Sequence, residues 1–85
     1  MLNIIVAEDH ALLREGLTSL LRGNQDINVV AEACNGEEAI KYAEQYSPDI
    51  ILMDLNMPIV SGIDALKKIL QINDAIKIIA VTAHE

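Results

Sequence analysis

Aromatic residues are nearly absent: the 85 residues hold no Trp, no Phe and two Tyr, Tyr42 and Tyr46. A base-stacking platform for single-stranded nucleic acid needs several ring faces, so that function is excluded. Cations are scarce as well, with six Lys and Arg against thirteen Asp and Glu and a formal charge of −7. No basic stripe for nucleic acid or for an anionic membrane surface can be assembled from that balance. A single cysteine, Cys34, cannot make an internal disulfide. That fits a reducing compartment, so a cytoplasmic location is expected. Apolar runs such as Ile4 to Ala7 and Ile78 to Val81 are far too short to span a bilayer. Glu8 and Asp9 interrupt the first of them at once, so it does not read as a secretory signal. What is plentiful is aliphatic. Hydrophobic residues make up 52% of the chain, drawn from Ile, Leu, Val, Ala and Met, and one small domain over residues 1–85 is expected.

The apolar pattern alternates between short runs and helical spacing. Asn3 to Ala7 is a short run of strand length. Leu13, Leu17, Leu20 and Leu21 recur at helical spacing on a segment closed by Gly23 and Asn24. Ile27 to Ala33 is a β-branched second strand. Asn35 with Glu38 three residues on reads as a helix N-cap, opening a helix over Ala39, Ile40, Ala43 and Tyr46. Ser47-Pro48 stops it, because proline disfavours helical geometry in the residue before it. Ile50 to Met53 is a third strand ending at Asp54, followed by a loop to Val60. Ser61 and Asp64 repeat the capping pattern before a third helix with inner face Leu66, Ile69 and Leu70. Lys77 to Thr82 is a fourth strand. The order β-α-β-α-β-α-β, with strands apolar on both faces, predicts an α/β doubly wound parallel sheet.

In such a sheet, ligands sit outside the carboxyl ends of the strands, where the strand order reverses. With order 2-1-3-4, the first and third strands flank that point. Their ends carry Glu8-Asp9 and Asp54, so three carboxylates converge in one crevice. No Lys or Arg lies near the carboxyl end of a strand in the sequence, and like charges so placed need a positive partner. Mg²⁺ suits them, because it takes a few carboxylate oxygens and keeps several waters. Other site chemistries are missing. No glycine-rich turn follows the first strand, no Cys/His set could hold zinc, and no Gly-x-Ser-x-Gly elbow is present.

These residues resemble the response-regulator receiver domain, the phospho-acceptor of two-component signalling. The matching features are Glu8-Asp9, Asp54, the Asn56-Met57-Pro58 loop, Gly62 and Thr82. Glu8-Asp9-His10, Val29 to Ala33 and Pro48-Asp49 are similar to the NarL/LuxR-type subfamily. The resemblance implies a flavodoxin-like fold of order 2-1-3-4. It implies that Asp54 takes a phosphoryl group from a sensor histidine kinase and that Thr82 hydrogen-bonds that group. It further implies Mg²⁺ on Asp9, Asp54 and the Asn56 carbonyl, with Glu8 acting mainly through water. A complete receiver continues past the fourth strand into a helix, a fifth strand bearing a lysine, and a last helix. The chain is therefore expected to be the N-terminal portion of a receiver, without the DNA-binding output domain of the subfamily. A homo-oligomer through the uncovered sheet face or the strand-four edge is expected to follow.

Two competing functions differ in class. One is a truncated, switch-incompetent fragment acting only as a folding or interaction module. The other is an Mg²⁺-dependent phosphatase of haloacid-dehalogenase type, whose nucleophile would end the first strand within Asp-x-Asp, a pattern missing here. Plainer roles also exist for single residues. Asp9 can cap the first helix, Asp54 can be a loop acid, Asn56 a turn former and Thr82 a strand residue. His10 reads as a helix-start residue at the pocket rim and Cys34 as a small buried hydrophobe.

Overall fold

A computed structural model describes residues 1–55, 57 and 60–81. The elements run β1 (Leu2–Ala7), α1 (Ala11–Arg22), β2 (Ile27–Ala33), α2 (Gly36–Tyr46), β3 (Ile50–Asp54), α3 (Gly62–Ile72) and β4 (Lys77–Val81). All four strands are parallel in the order β2-β1-β3-β4. The fold is thus the expected flavodoxin-like one. Parallel neighbours require crossovers, and each helix supplies one.

Alternation along β1 divides the interior. Ile5 and Ala7 join a cluster with Ile51 and Met53 of β3, Ala39 and Ala43 of α2, and Ala65 and Ile69 of α3. Ile4 and Val6 are equally buried but lie outside that cluster, and α1, which packs on β1 and β2, contributes no residue to it. The small Ala residues on α2 and α3 let those two helices pack closely against each other, with α2 also close over β1 and β2.

Both anticipated N-caps form. Asn35 Oδ1 accepts from the Glu38 N–H at 2.8 Å, and Ser61 Oγ accepts from the Asp64 N–H at 3.2 Å. The helix before Pro48 ends with Ser47 in the left-handed region (φ 43°), which satisfies the backbone where Pro48 forbids another turn. Asp49 works at the amino end of the sheet. Its carboxylate accepts from the Asn3 N–H, its N–H donates to the Asn3 carbonyl, and its carbonyl accepts from Lys77 N–H. One residue therefore links the starts of β1 and β4 beside its own strand.

Several expected burials are corrected. Leu70, read as part of the inner face of α3, is exposed, as are Leu20 (78%) and Tyr46. Cys34 is exposed rather than buried. It sits just before α2, where its N–H and Sγ–H both donate to Glu38 Oε1 at 2.9 and 3.1 Å. Glu38 thereby completes the helix start by reaching Cys34, one residue ahead of the cap itself.

Candidate functional site

The strand register assembles the acidic crevice. Ala7 pairs with Met53 across β1 and β3, so the next residues, Glu8 and Asp54, emerge side by side at the carboxyl edge. A parallel sheet places both strand ends on one edge, and the crossovers of α1 and α3 leave from there to opposite faces. Glu8 is 1% exposed and Asp54 3% exposed. Asp9 is half-buried beside them. One ligand atom from each of Glu8, Asp9, His10 and Asp54 lies within 4.8 Å of the others.

Asp9 is free of the capping role. The N-cap of α1 is His10, and among the described residues no side chain caps that helix. His10 instead turns to Glu8: its N–H donates to Glu8 Oε2 at 3.0 Å, and its Nδ1 lies 3.1 Å from the same oxygen. The ring is 3.5 Å from Asp9 Oδ1. Glu8 Oε1 and Asp9 Oδ1 are buried with no hydrogen-bond partner among the described residues. Leaving such oxygens unsatisfied is costly, on the order of 1–3 kcal/mol for a neutral group and more for a charged one.

Burial is the main cause that pushes the Glu8 carboxyl above the ordinary glutamate range. The two His10 hydrogen bonds oppose it, while Asp9 and Asp54 push it further up. His10 is raised in turn, first by its bond to Glu8 and then by the charges of Asp9 and Glu8. Three carboxylates, two of them holding a buried oxygen without a hydrogen-bond partner among the described residues, fit a hard divalent cation.

One expectation about charge is corrected. Arg14, in the first turn of α1, folds back over the strand end and donates to the Glu8 carbonyl at 2.8 Å. Its Nε lies 3.5 Å from Glu32 Oε1. A guanidinium therefore does reach the carboxyl edge, although its contacts are to a backbone carbonyl and to β2. The linear sequence hid this because Arg14 reaches the edge only by the direction in which α1 leaves it. Asn56 and Thr82 lie outside the described residues.

Residues 4–85 match the family described as the response regulator receiver domain. The chain belongs to that family. Its sequence relatives include response regulator GacA of Pseudomonas viridiflava, 40% identical over 85 residues, which cover all of this chain and 40% of GacA. Response regulator UvrY of Escherichia coli is 38% identical over 84 residues, 99% of this chain and 38% of UvrY. The chain thus spans about two fifths of the length of these relatives. Among solved structures, the response regulator domain of Thermotoga maritima CheB superposes with a TM-score of 0.91 at 34% identity, covering 96% of this chain and 60% of that one. A two-component response regulator of the LuxR family from an Aurantimonas species gives 0.92 at 35% identity, over 100% of this chain and 61% of that one. The relatives are of the NarL/LuxR type. No helix among the described residues is long and apolar enough to cross a membrane.

A receiver pocket strained in this way has a defined pH response without metal. A carboxyl raised in the folded state opposes folding at pH values where it is ionised, and the opposition fades as the pH falls through its raised value. A histidine raised in the folded state stabilises below its ordinary value and ceases to as the pH rises through the raised one. Glu8 and His10 therefore act in the same direction. In chelator, the melting temperature of the native chain relative to Glu8→Gln is expected to rise from pH 8 to pH 5. A difference that stays flat across that range would show that the acid crevice carries no ionisation strain.

Proposed function

We propose that Asp54 accepts a phosphoryl group from a phosphohistidine of a sensor histidine kinase in the cytoplasm. The observation that carries this is the buried Asp54 carboxylate set against Glu8 and Asp9 at the carboxyl edge of β1 and β3. A carboxylate oxygen forms the new bond to phosphorus as the P–N bond of the donor breaks, leaving an acyl phosphate on Asp54. The chain is then a phosphoryl acceptor rather than an enzyme acting on a separate substrate. Asp9 and Asp54 would hold Mg²⁺ with the Asn56 carbonyl, and Glu8 would act through water. A bound Mg²⁺ supplies charge neutralisation for the carboxylates and the phosphoryl oxygens. Thr82 would hydrogen-bond the phosphoryl group. Output through DNA belongs, on this proposal, to parts of the regulator beyond these residues, since the chain itself is acidic.

The test is intact-mass measurement after incubation with Mg²⁺ and acetyl phosphate. One added phosphoryl group is expected on the native chain and none on Asp54→Asn. Equal labelling of both would place the acceptor elsewhere.

A specific observation favours self-association as well. Leu12 and Leu20 of α1 are 84% and 78% exposed, and Ile79 on β4 is half exposed. Leu12 and Leu20 border a groove of about 700 Å³ lined also by Leu13, Gly16 and Leu17. β4 is an edge strand of the described sheet. Burial at about 25 cal/mol per Å² makes several hundred Å² of such surface worth several kcal/mol. A second copy of the chain would cover it by face packing or edge pairing. Sedimentation equilibrium at low micromolar concentration is expected to show a dimer or larger, and a strictly monomeric folded species overturns the idea.

A further inference from the structure

We infer that the His10 imidazole adds a nitrogen donor to the acid crevice, so that the site selects borderline divalent transition ions such as Co²⁺ over Mg²⁺. The inference rests on the acid crevice being a cation site and concerns which cation it prefers.

Geometry is the first support. The His10 Nδ1 lies 3.1 Å from Glu8 Oε2 and 3.5 Å from Asp9 Oδ1. Ligands bound at about 2.1 Å to one octahedral ion stand about 3 Å apart along each edge. The ring nitrogen is thus spaced from both carboxylates as a neighbouring ligand would be. A ligand atom of Asp54 falls within the same 4.8 Å group.

The second support is the buried orphan. Glu8 is 1% exposed, yet its Oε1 has no hydrogen-bond partner among the described residues. The crevice therefore has a donor oxygen to offer in addition to the one His10 engages.

The third support is redundancy in how Glu8 is held. The His10 backbone N–H donates to Glu8 Oε2 at 3.0 Å, independently of the ring. The imidazole can carry its proton on Nε2 and present the Nδ1 lone pair without releasing Glu8. Because the His10 side chain is 70% exposed, the ring adjusts at little packing cost.

Chemistry sets the selectivity. Mg²⁺ favours oxygen donors and gains little from an imidazole, whereas Co²⁺, Ni²⁺ and Zn²⁺ bind imidazole well. Carboxylates alone would follow only the general affinity order of the ions, and the nitrogen adds a preference that disappears with His10.

The experiment titrates the native chain, His10→Ala and His84→Ala with Co²⁺ and separately with Mg²⁺. Calorimetry gives the affinities, and paramagnetically shifted histidine ring protons report direct coordination. His84→Ala controls for the other imidazole, and circular dichroism verifies folding of each variant. The expected result is a Co²⁺-to-Mg²⁺ affinity ratio at least tenfold lower in His10→Ala than in the native chain and in His84→Ala. Shifted ring protons should be lost only with His10. An unmoved ratio, with both affinities falling together or neither falling, overturns the inference and leaves His10 a positioning residue or a bystander. Titration of Asp54→Asn separates the underlying reading: if its Mg²⁺ affinity equals that of the native chain, the acid crevice itself is not the cation site.

Discussion

Alanine at Asp54 is expected to weaken Mg²⁺ binding by roughly two orders of magnitude, and alanine at Asp9 by somewhat less. Opposite unit charges about 4 Å apart at an effective dielectric of about 20 attract by roughly 4 kcal/mol. Each 1.4 kcal/mol is about a factor of ten in affinity. Partial replacement by water returns some of that loss, leaving about 3 kcal/mol at a buried site. Asp54 is 3% exposed whereas the Asp9 side chain is 27% exposed, so solvent compensates more at Asp9. The opposite effect is expected without metal. Asp54 pushes Glu8 up through its charge and Asp9 through a side-chain hydrogen bond, so it is removal of the Asp54 charge that relieves repulsion. The isosteric Asp54→Asn should therefore melt higher than the native chain in chelator. Calorimetric titration and thermal melts together check the pair. Unchanged affinity at Asp54→Ala, or a metal-free Asp54→Asn less stable than the native chain, would contradict this account of the crevice.

The second large effect is structural and lies just behind the crevice. Gly62 starts α3, and its N–H donates to the Leu55 carbonyl at 3.1 Å, closing the loop after Asp54. A Cβ at Gly62 would overlap the Leu55 Cα and the Asp54 carbonyl oxygen. Those are backbone atoms and cannot rotate aside. Overpacking of this kind costs about 1–3 kcal/mol, and an immovable neighbour puts Gly62→Ala at the upper end. At about 4–8 °C per kcal/mol for a domain of this size, the melting temperature should fall on the order of 15 °C. Gly16 supplies the contrast. It lies within α1 with nothing within 4 Å of its would-be Cβ. Alanine there removes a helix-interior glycine and should stabilise by up to about 1 kcal/mol. The same substitution thus has opposite signs at two glycines. A Gly62→Ala chain that melts with the native one would show that the helix start is not held against the strand end.

Local pattern carried most of the fold. A β-branched run marked β2, and an apolar run ending at Asp54 marked β3, because strand preference and burial act over five to seven residues and leave a visible run. Asn35 and Ser61 were legible as caps because a cap is completed within three residues. The acid crevice was legible at a further remove. Glu8, Asp9 and Asp54 each end an apolar run, and parallel strands necessarily gather those ends on one edge.

Residue placements decided by neighbours distant in sequence were not legible. The apolar spacing of Leu20 and Leu70 promised burial, but which helix stripe meets the sheet depends on how the helix is seated, and both are exposed. Cys34 looked like a core residue until the start of α2 claimed its N–H and thiol for Glu38. Arg14 looked remote from the strand ends, yet α1 carries it back to the Glu8 carbonyl. The sequence by itself determined the elements, their order and the acids at the strand ends, since periodicity and capping are local. Only the tertiary structure decided that Asp9 is spared from capping, that His10 closes on Glu8, and that buried oxygens of Glu8 and Asp9 are left without a hydrogen-bond partner among the described residues. Those facts depend on register and crossover direction, which no short stretch of chain contains.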